Sequence, residues 1–291
     1  MDQKLIDLHH DYVHHHCDRR KFIAQASRIV GSTAAAAALL PVLDCNFALA
    51  QTVAENDPRI ATEDVTFRGV TGEMKGYVAR PRAPGRYGAV VVVHEAGGLN
   101  AHTQDIARRL ASEGFVAVAV DFLSPMGGTA AVQARRQPGA PNPINELDAG
   151  QVAANGVEAV KYLRTRADVN GKVGIVGFCW GGRVSQNVSI SDPTLNAAVV
   201  FYGQPPHPSL APKLNAPILM NYADVMFDMN NTGEAVLYAE ELKKLGKVYE
   251  FYAYAGAQHG FNNNTNTERH HPKAAELAWS RTIGWFKKYL S

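Results

Sequence analysis

A chain of 291 residues with a formal charge of +2 at pH 7 and 46% hydrophobic side chains has the composition of a soluble globular protein. The near balance of charge offers no electrostatic footprint for nucleic acid or an anionic membrane. Past the first fifty residues no apolar run is long enough to span a bilayer, and the length admits one large α/β domain or two small ones.

Residues 1–50 read as an export signal. Asp18-Arg19-Arg20-Lys21-Phe22-Ile23 resembles a twin-arginine motif, an Ala-rich stretch runs from Ile29 to Leu43, and Ala48-Leu49-Ala50 forms an A-x-A site before Gln51. Basic, apolar, then small is the order of a cleavable signal; the paired arginines point to the twin-arginine export machinery as partner and to a periplasmic or secreted product. Pro41 and Asp44 interrupt the apolar stretch, so a retained N-terminal arm is the alternative, and Asp44 fits a lipoprotein site at Cys45 poorly. Cys17, Cys45 and the histidines at 9, 10, 14, 15 and 16 all fall in this segment, leaving Cys179 alone in residues 51–291. A lone cysteine makes no internal disulfide, and in an oxidising compartment it is expected to be useful, shielded, or both.

From about residue 60, short β-like runs alternate with helix-like segments. Val65-Thr66-Phe67 and Lys75–Ala79 predict an opening antiparallel pair; Ala89–Val93 is wholly apolar, as a strand inside a parallel sheet must be. Thr103–Glu113 predicts a helix closed by Gly114, and Phe115–Phe122 the next strand. Residues 124–145, rich in Gly, Pro and Ala, predict an ordered excursion over one edge of a site, either a lid or a static surface loop. Then come a helix over Glu146–Arg166, strands at Lys172–Val176, Ala197–Tyr202 and Pro217–Tyr222, a helix over Glu234–Leu245, a strand at Val248–Tyr254 and a closing helix over Lys273–Leu290. This alternation predicts a mainly parallel sheet with helices on both faces, in one catalytic domain over residues 51–291.

The chemistry centres on Gly177-Phe178-Cys179-Trp180-Gly181-Gly182, a strand-to-helix turn of the form Gly-x-Cys-x-Gly. It has the pattern of a nucleophile elbow with cysteine in the serine position. Glycines leave room where a Cβ would clash, and a helix N-terminus favours a thiolate. A Gly-rich turn with a buried structural cysteine is the plainer alternative.

A cysteine nucleophile needs a base, and the base an orienting carboxylate. His259, in the loop between the last strand and last helix, is the best base; otherwise it caps that helix. His94, His102, His207, His270 and His271 are weaker candidates, the last two reading as helix-start residues before Pro272. The acid lies after the strand ending near Tyr222, where both Asp224 and Asp228 qualify: reading forward from the strand favours Asp224, counting back from Leu242 favours Asp228. Glu95 emerges from Val91-Val92-Val93-His94-Glu95-Ala96-Gly97-Gly98 at the carboxyl edge of the sheet, where open α/β sheets place ligands. There it must be paired, with Arg183 a possible partner, or have a raised pKa. The backbone N–H groups of Ala96 and Trp180 are placed to form an oxyanion hole. No His or Cys spacing resembles a zinc site, and neither metal nor cofactor is predicted.

With the H-E-x-x-G turn at His94–Gly98, the G-F-C-x-G-G elbow and the Q-H-G-F segment at Gln258–Phe261, roughly residues 60–290 resemble the dienelactone hydrolase (carboxymethylenebutenolidase-like) family of α/β-hydrolases. The resemblance implies an α/β-hydrolase fold and a Cys-Asp-His triad that opens activated lactones or enol esters through a thioester. It also implies that Glu95 takes the thiol proton when substrate binds. A forward match sets Met226 where the family aspartate is expected; a small insertion would restore Asp228, and otherwise Asp224 must serve. No arginines match those that hold the substrate carboxylate in the family, and an export signal departs from its cytoplasmic members. Chemistry narrows the choice in the same direction: a thiolate leaves more easily than an amine, so esters, lactones and thioesters are easier substrates than amides. Two other classes are weighed against the hydrolase. One is an inactive binding protein on the same fold; the other is a thiol redox sensor, which lacks a resolving cysteine. Cys179→Ser separates them, since only the esterase loses turnover.

Overall fold

The computed structural model describes residues 8, 19–33, 35–36, 52–137 and 139–291. The twin arginines open helix α1 (Arg19–Val30), while Cys17, Cys45, the five early histidines and the A-x-A site lie outside the described residues. No helix among the described residues is long and apolar enough to cross a membrane.

Strands β1 (Ile60–Gly69), β2 (Gly72–Pro81), β3 (Tyr87–Val93), β4 (Val116–Asp121), β5 (Val169–Phe178), β6 (Ala197–Phe201), β7 (Ile218–Ala223) and β8 (Tyr249–Tyr254) form one eight-stranded sheet in the order β1-β2-β4-β3-β5-β6-β7-β8. Only β2 runs antiparallel to its neighbours; from β4 to β8 every pairing is parallel. This is an α/β fold with a mainly parallel sheet, as the alternating pattern predicts.

The helices after β1 are α2 (Ala101–Ser112), α3 (Thr129–Arg135), α4 (Ala149–Thr165), α5 (Trp180–Ser191), α6 (Met229–Lys244) and α7 (Pro272–Leu290). Period-2 alternation divides the strand side chains between two cores. Val90, Val92, Val176 and Phe178 pack with α2 and α7 on one face, while Val91, Val93, Ile175 and Val200 pack with α4, α5 and α6 on the other. Both faces are covered, which is why these strands are apolar throughout and exclude water entirely at Val90–Val93.

Four expected boundaries move. The opening hairpin pairs from Ile60↔Pro81 to Gly69↔Gly72, well beyond Val65–Phe67 and Lys75–Ala79, because its solvent-facing polar residues mask the alternation. Helix α4 starts at Ala149, where Asp148 caps it by accepting from Gln151 N–H. The 124–145 excursion contains α3, which begins where Asp121 accepts from both the N–H and the hydroxyl of Thr129. Helix α6 begins at Met229, five residues before Glu234. There Thr232 Oγ1 donates to the Ala223 carbonyl and Thr232 N–H to the Asp228 carbonyl, so tertiary contacts override the poor helix formers Asn230–Gly233.

Candidate active site

The strand order reverses between β3 and β5: the chain leaves β3 for β4 on one side and β5 for β6 on the other. In open parallel sheets such a switch point opens a crevice at the carboxyl ends of the strands. Glu95 and Ala96 follow β3 there, and Cys179 follows β5. Tyr202 follows β6, Asp228 follows β7 and His259 follows β8, so five consecutive strand ends contribute to one edge.

Cys179 has φ 54° and ψ −116°, a backbone region that L-residues enter only under strain. Surrounding contacts enforce it. Cys179 N–H donates to the Phe201 carbonyl at 3.0 Å, and its own carbonyl accepts from Gly182 and Arg183 as the first turn of α5. The flanking glycines are obligatory: a Cβ on Gly177 would overlap the Gly181 carbonyl, and one on Gly181 would lie 2.5 Å from the Val93 and His94 carbonyl oxygens. Cys179 occupies the N-cap position of α5 without capping it, so its side chain is free for chemistry at the positive end of the helix. Trp180 is the first helical residue, and its N–H has no intrahelical acceptor.

His259 Nδ1 lies 2.8 Å from Asp228 Oδ2. Burial disfavours the charged form of the imidazole, but the bond to Asp228 and the attraction of the neighbouring Cys179 sulfur outweigh that and push the pKa up to about 10. Asp228 stands at the N-cap of α6 and makes no capping bond with its side chain; Asn231 Nδ2 donates to the other oxygen, Oδ1, at 2.8 Å.

The structure does not bring Asp224 to the imidazole. Its Oδ2 accepts from Gly256 N–H at 2.8 Å and its Oδ1 from Met226 N–H at 3.0 Å, while Asp224 N–H donates to the Ala257 carbonyl. Asp224 staples the acid loop to the histidine loop, and Asp228 takes the position beside the base. The cap of α7 is His271, whose Nδ1 accepts from Ala274 N–H, and not His259.

Glu95 meets neither Arg183 nor another cation at hydrogen-bond distance. Its Oε1 accepts from Tyr202 Oη–H at 3.1 Å and its Oε2 from Asn263 Nδ2 at 2.7 Å. Burial raises the Glu95 carboxyl above the usual carboxylate range, and these two donors offset only part of that rise. Burial, then the neighbouring Glu95, pushes the Tyr202 phenol far up, so it stays a donor. Tyr202 also packs against the imidazole, with ring centroids 5.1 Å apart.

The weaker histidines hold structural places. His94 is fully buried beneath Trp180, His102 packs edge-on against Phe178, and His207 caps a turn at Ser209. Among the neighbouring aromatics, Phe122 and Phe261 belong to the core, and Trp180 packs on His94 and Phe122.

The arrangement is a thiol, an imidazole and a carboxylate on three loops, with a second carboxylate on a fourth. Residues 74–290 match the model of the dienelactone hydrolase family. The chain belongs to that family. It is 32% identical over 237 residues to a protein of Salmonella typhi named "Putative carboxymethylenebutenolidase", an alignment covering 75% of this chain and 83% of that one. It is 31% identical over 238 residues to a Bradyrhizobium protein named "Probable 2-oxo-3-(5-oxofuran-2-ylidene)propanoate lactonase", covering 76% and 92% respectively. Among solved structures it resembles one titled "Putative Dienelactone Hydrolase" from Klebsiella pneumoniae, with TM-score 0.71 and 27% identity over 79% of this chain and 99% of that one.

Within this hydrolase family frame, three partners escaped the reading of the sequence. Asn263 follows His259 by four residues but meets Glu95, which is 168 residues away in the chain. Asn231 carries no local signal, since its role depends on Asp228 turning away from its cap. Tyr202 reads only as the end of a strand, whereas its hydroxyl binds Glu95.

Proposed function

We propose that this protein hydrolyses small activated esters or lactones with Cys179 as nucleophile, by way of a thioester acyl-enzyme. The observation that carries the reading is the strained elbow conformation of Cys179 beside a histidine that is itself bound to Asp228.

The Cys179 thiolate attacks the carbonyl carbon, forming the C–S bond while the carbonyl electrons move onto oxygen. Ala96 and Trp180 N–H stabilise that oxyanion. Glu95, held by Tyr202 and Asn263, receives the thiol proton as substrate arrives. Collapse of the tetrahedral species breaks the bond to the alcohol oxygen, which takes its proton from His259.

Charge then works in favour of the second half. Part of what raises the His259 pKa is its interaction with Cys179, and acylation abolishes the sulfur's charge. Losing that charge lowers the imidazole pKa, so after protonating the alcohol it stays neutral, takes a proton from water, and the resulting hydroxide attacks the thioester. Breaking the C–S bond releases the acid and restores the thiolate, which recovers its proton from Glu95 as product leaves. Asp228 keeps Nδ1 protonated throughout, leaving Nε2 to exchange protons.

Export through a twin-arginine pathway fits Arg19 and Arg20, and replacing both with lysine should retain the protein in the cytoplasm. The decisive test is burst and steady-state hydrolysis of p-nitrophenyl acetate and a panel of enol-lactones, with and without iodoacetamide. Turnover lost in step with alkylation of Cys179 supports the reading; turnover surviving full alkylation overturns it.

A further inference from the structure

The turn after β3 is tied down by more side chains than its own backbone needs. The Glu95 carbonyl accepts from His94 Nδ1 at 2.7 Å and from Gly98 N–H at 3.1 Å. Nδ1 must carry the proton, because Nε2 accepts from Phe122 N–H at 3.1 Å and a backbone amide can only donate. The Glu95–Ala96 peptide is trans and planar, so its C=O and N–H point in opposite directions. Anchoring the carbonyl oxygen on His94 therefore fixes the direction of the Ala96 N–H.

The 124–145 excursion holds three of the next four residues. Asn142 Nδ2 donates to the Ala96 carbonyl at 2.8 Å, Gln133 Nε2 to the Gly97 carbonyl at 2.9 Å, and Leu99 N–H to Thr129 Oγ1 at 2.9 Å. Thr129 is itself fixed by Asp121, and a Cβ on Gly98 (φ +89°) would run into Thr129. The His94 ring also stacks on the Trp180 indole, 5.5 Å and 10° apart, with Phe122 edge-on to both. One buried imidazole thus touches the peptide that carries the Ala96 N–H and the side chain of Trp180.

We propose that His94, Gln133 and Asn142 are positioning residues that aim the Ala96 N–H at the acyl oxygen, and that the excursion is a fixed brace for this turn and not a lid. The inference rests on the reading of Ala96 and Trp180 as oxyanion donors. Neither His94 nor the excursion touches the reacting atoms; both act through a peptide plane.

Two reactions of the same thiol separate this role from general structural damage. Acylation by p-nitrophenyl acetate builds an oxyanion, whereas alkylation by iodoacetamide displaces iodide at a saturated carbon and builds none. His94→Leu and Asn142→Ala should lower kcat about 10- to 100-fold with KM little changed, a fraction of the loss from deleting an oxyanion donor. Alkylation of Cys179 should proceed at the wild-type rate in both. His94→Gln, which keeps an N–H donor, should recover most of the loss. Asn142 is only half-buried, so Asn142→Ala decides the matter if His94→Leu fails to fold. Wild-type kcat in Asn142→Ala, or alkylation falling in parallel with kcat, overturns the positioning role. Turnover that survives Cys179→Ala instead overturns the underlying reading, and this inference with it.

Discussion

Asn263 Nδ2 donates to Glu95 Oε2 at 2.7 Å, closing the loop after β8 onto the loop after β3 across 168 residues of chain. Burial already raises the Glu95 pKa, and Asn263 is the first of the donors opposing the rise. Removing it should raise the pKa further. A carboxyl whose folded pKa lies above its unfolded value contributes most stability below the unfolded pKa and loses it as pH rises through the folded one. Asn263→Leu should therefore cost more at pH 8, about 1–3 kcal/mol, than at pH 5, because the carboxylate form then keeps only Tyr202 as donor. Urea denaturation at the two pH values checks this; an equal loss at both would show that Asn263 acts by packing alone.

Asp228 and Asp224 lie four residues apart and do different work. Asp228→Asn keeps the shape but presents a donor or a neutral acceptor to Nδ1, so kcat should fall on the order of 10³- to 10⁴-fold. Asp224→Asn loosens the staple to Gly256 and Met226 and should cost far less activity, with a measurable rise in proteolysis within 224–228. Steady-state kinetics on both variants decides it. Equal losses would mean that the two carboxylates share the orienting role.

Why the acid was ambiguous in the sequence is physical. Both aspartates sit between a strand end and a helix start, and the helix start was itself hidden. Asn230, Asn231, Thr232 and Gly233 are poor helix formers, yet Thr232 anchors them to Ala223 and Asp228. By contrast, the elbow, the apolar strands β3 and β5 and the place of His259 were legible, because each is a local pattern set by backbone space or by burial. The partners of Glu95 were not, since Tyr202 and Asn263 meet it only when three separate loops converge. Whether the ordered excursion was a lid or a static loop stayed open because Gly and Pro mark loops without saying what holds them; what braces it, Asp121 against Thr129, is tertiary.

His259 predicts an alkaline limit to stability. Its pKa rises from 6.5 to about 10 in the folded protein, through Asp228 and Cys179 and against burial. A raised folded pKa means that stabilisation is full below the unfolded value near 6.5 and disappears as pH climbs through about 10. At roughly 1.4 kcal/mol per unit, reduced for the site's access to solvent, the change should be on the order of 2–4 kcal/mol. Urea midpoints of wild type and His259→Gln should differ near pH 6 and converge by pH 10.5. A gap that stays constant across that range would show that the imidazole gains nothing from its partners.

The elbow itself should be measurable as stored strain. At φ 54° and ψ −116° a residue with a Cβ is held at a cost of about 1–3 kcal/mol, which glycine largely avoids. Cys179→Ala removes the thiol but keeps the Cβ, whereas Cys179→Gly removes both. Glycine also loses more backbone entropy on folding, by about 0.5–1 kcal/mol, which subtracts from the relief. Cys179→Gly should therefore be more stable than Cys179→Ala by about 1 kcal/mol, the reverse of the usual order of Ala and Gly, and both should be inactive. Chemical denaturation of the pair isolates the backbone contribution, because the lost thiol is common to both. If Ala is the more stable, the elbow is relaxed, and the tight packing of Gly177 and Gly181 serves close approach alone.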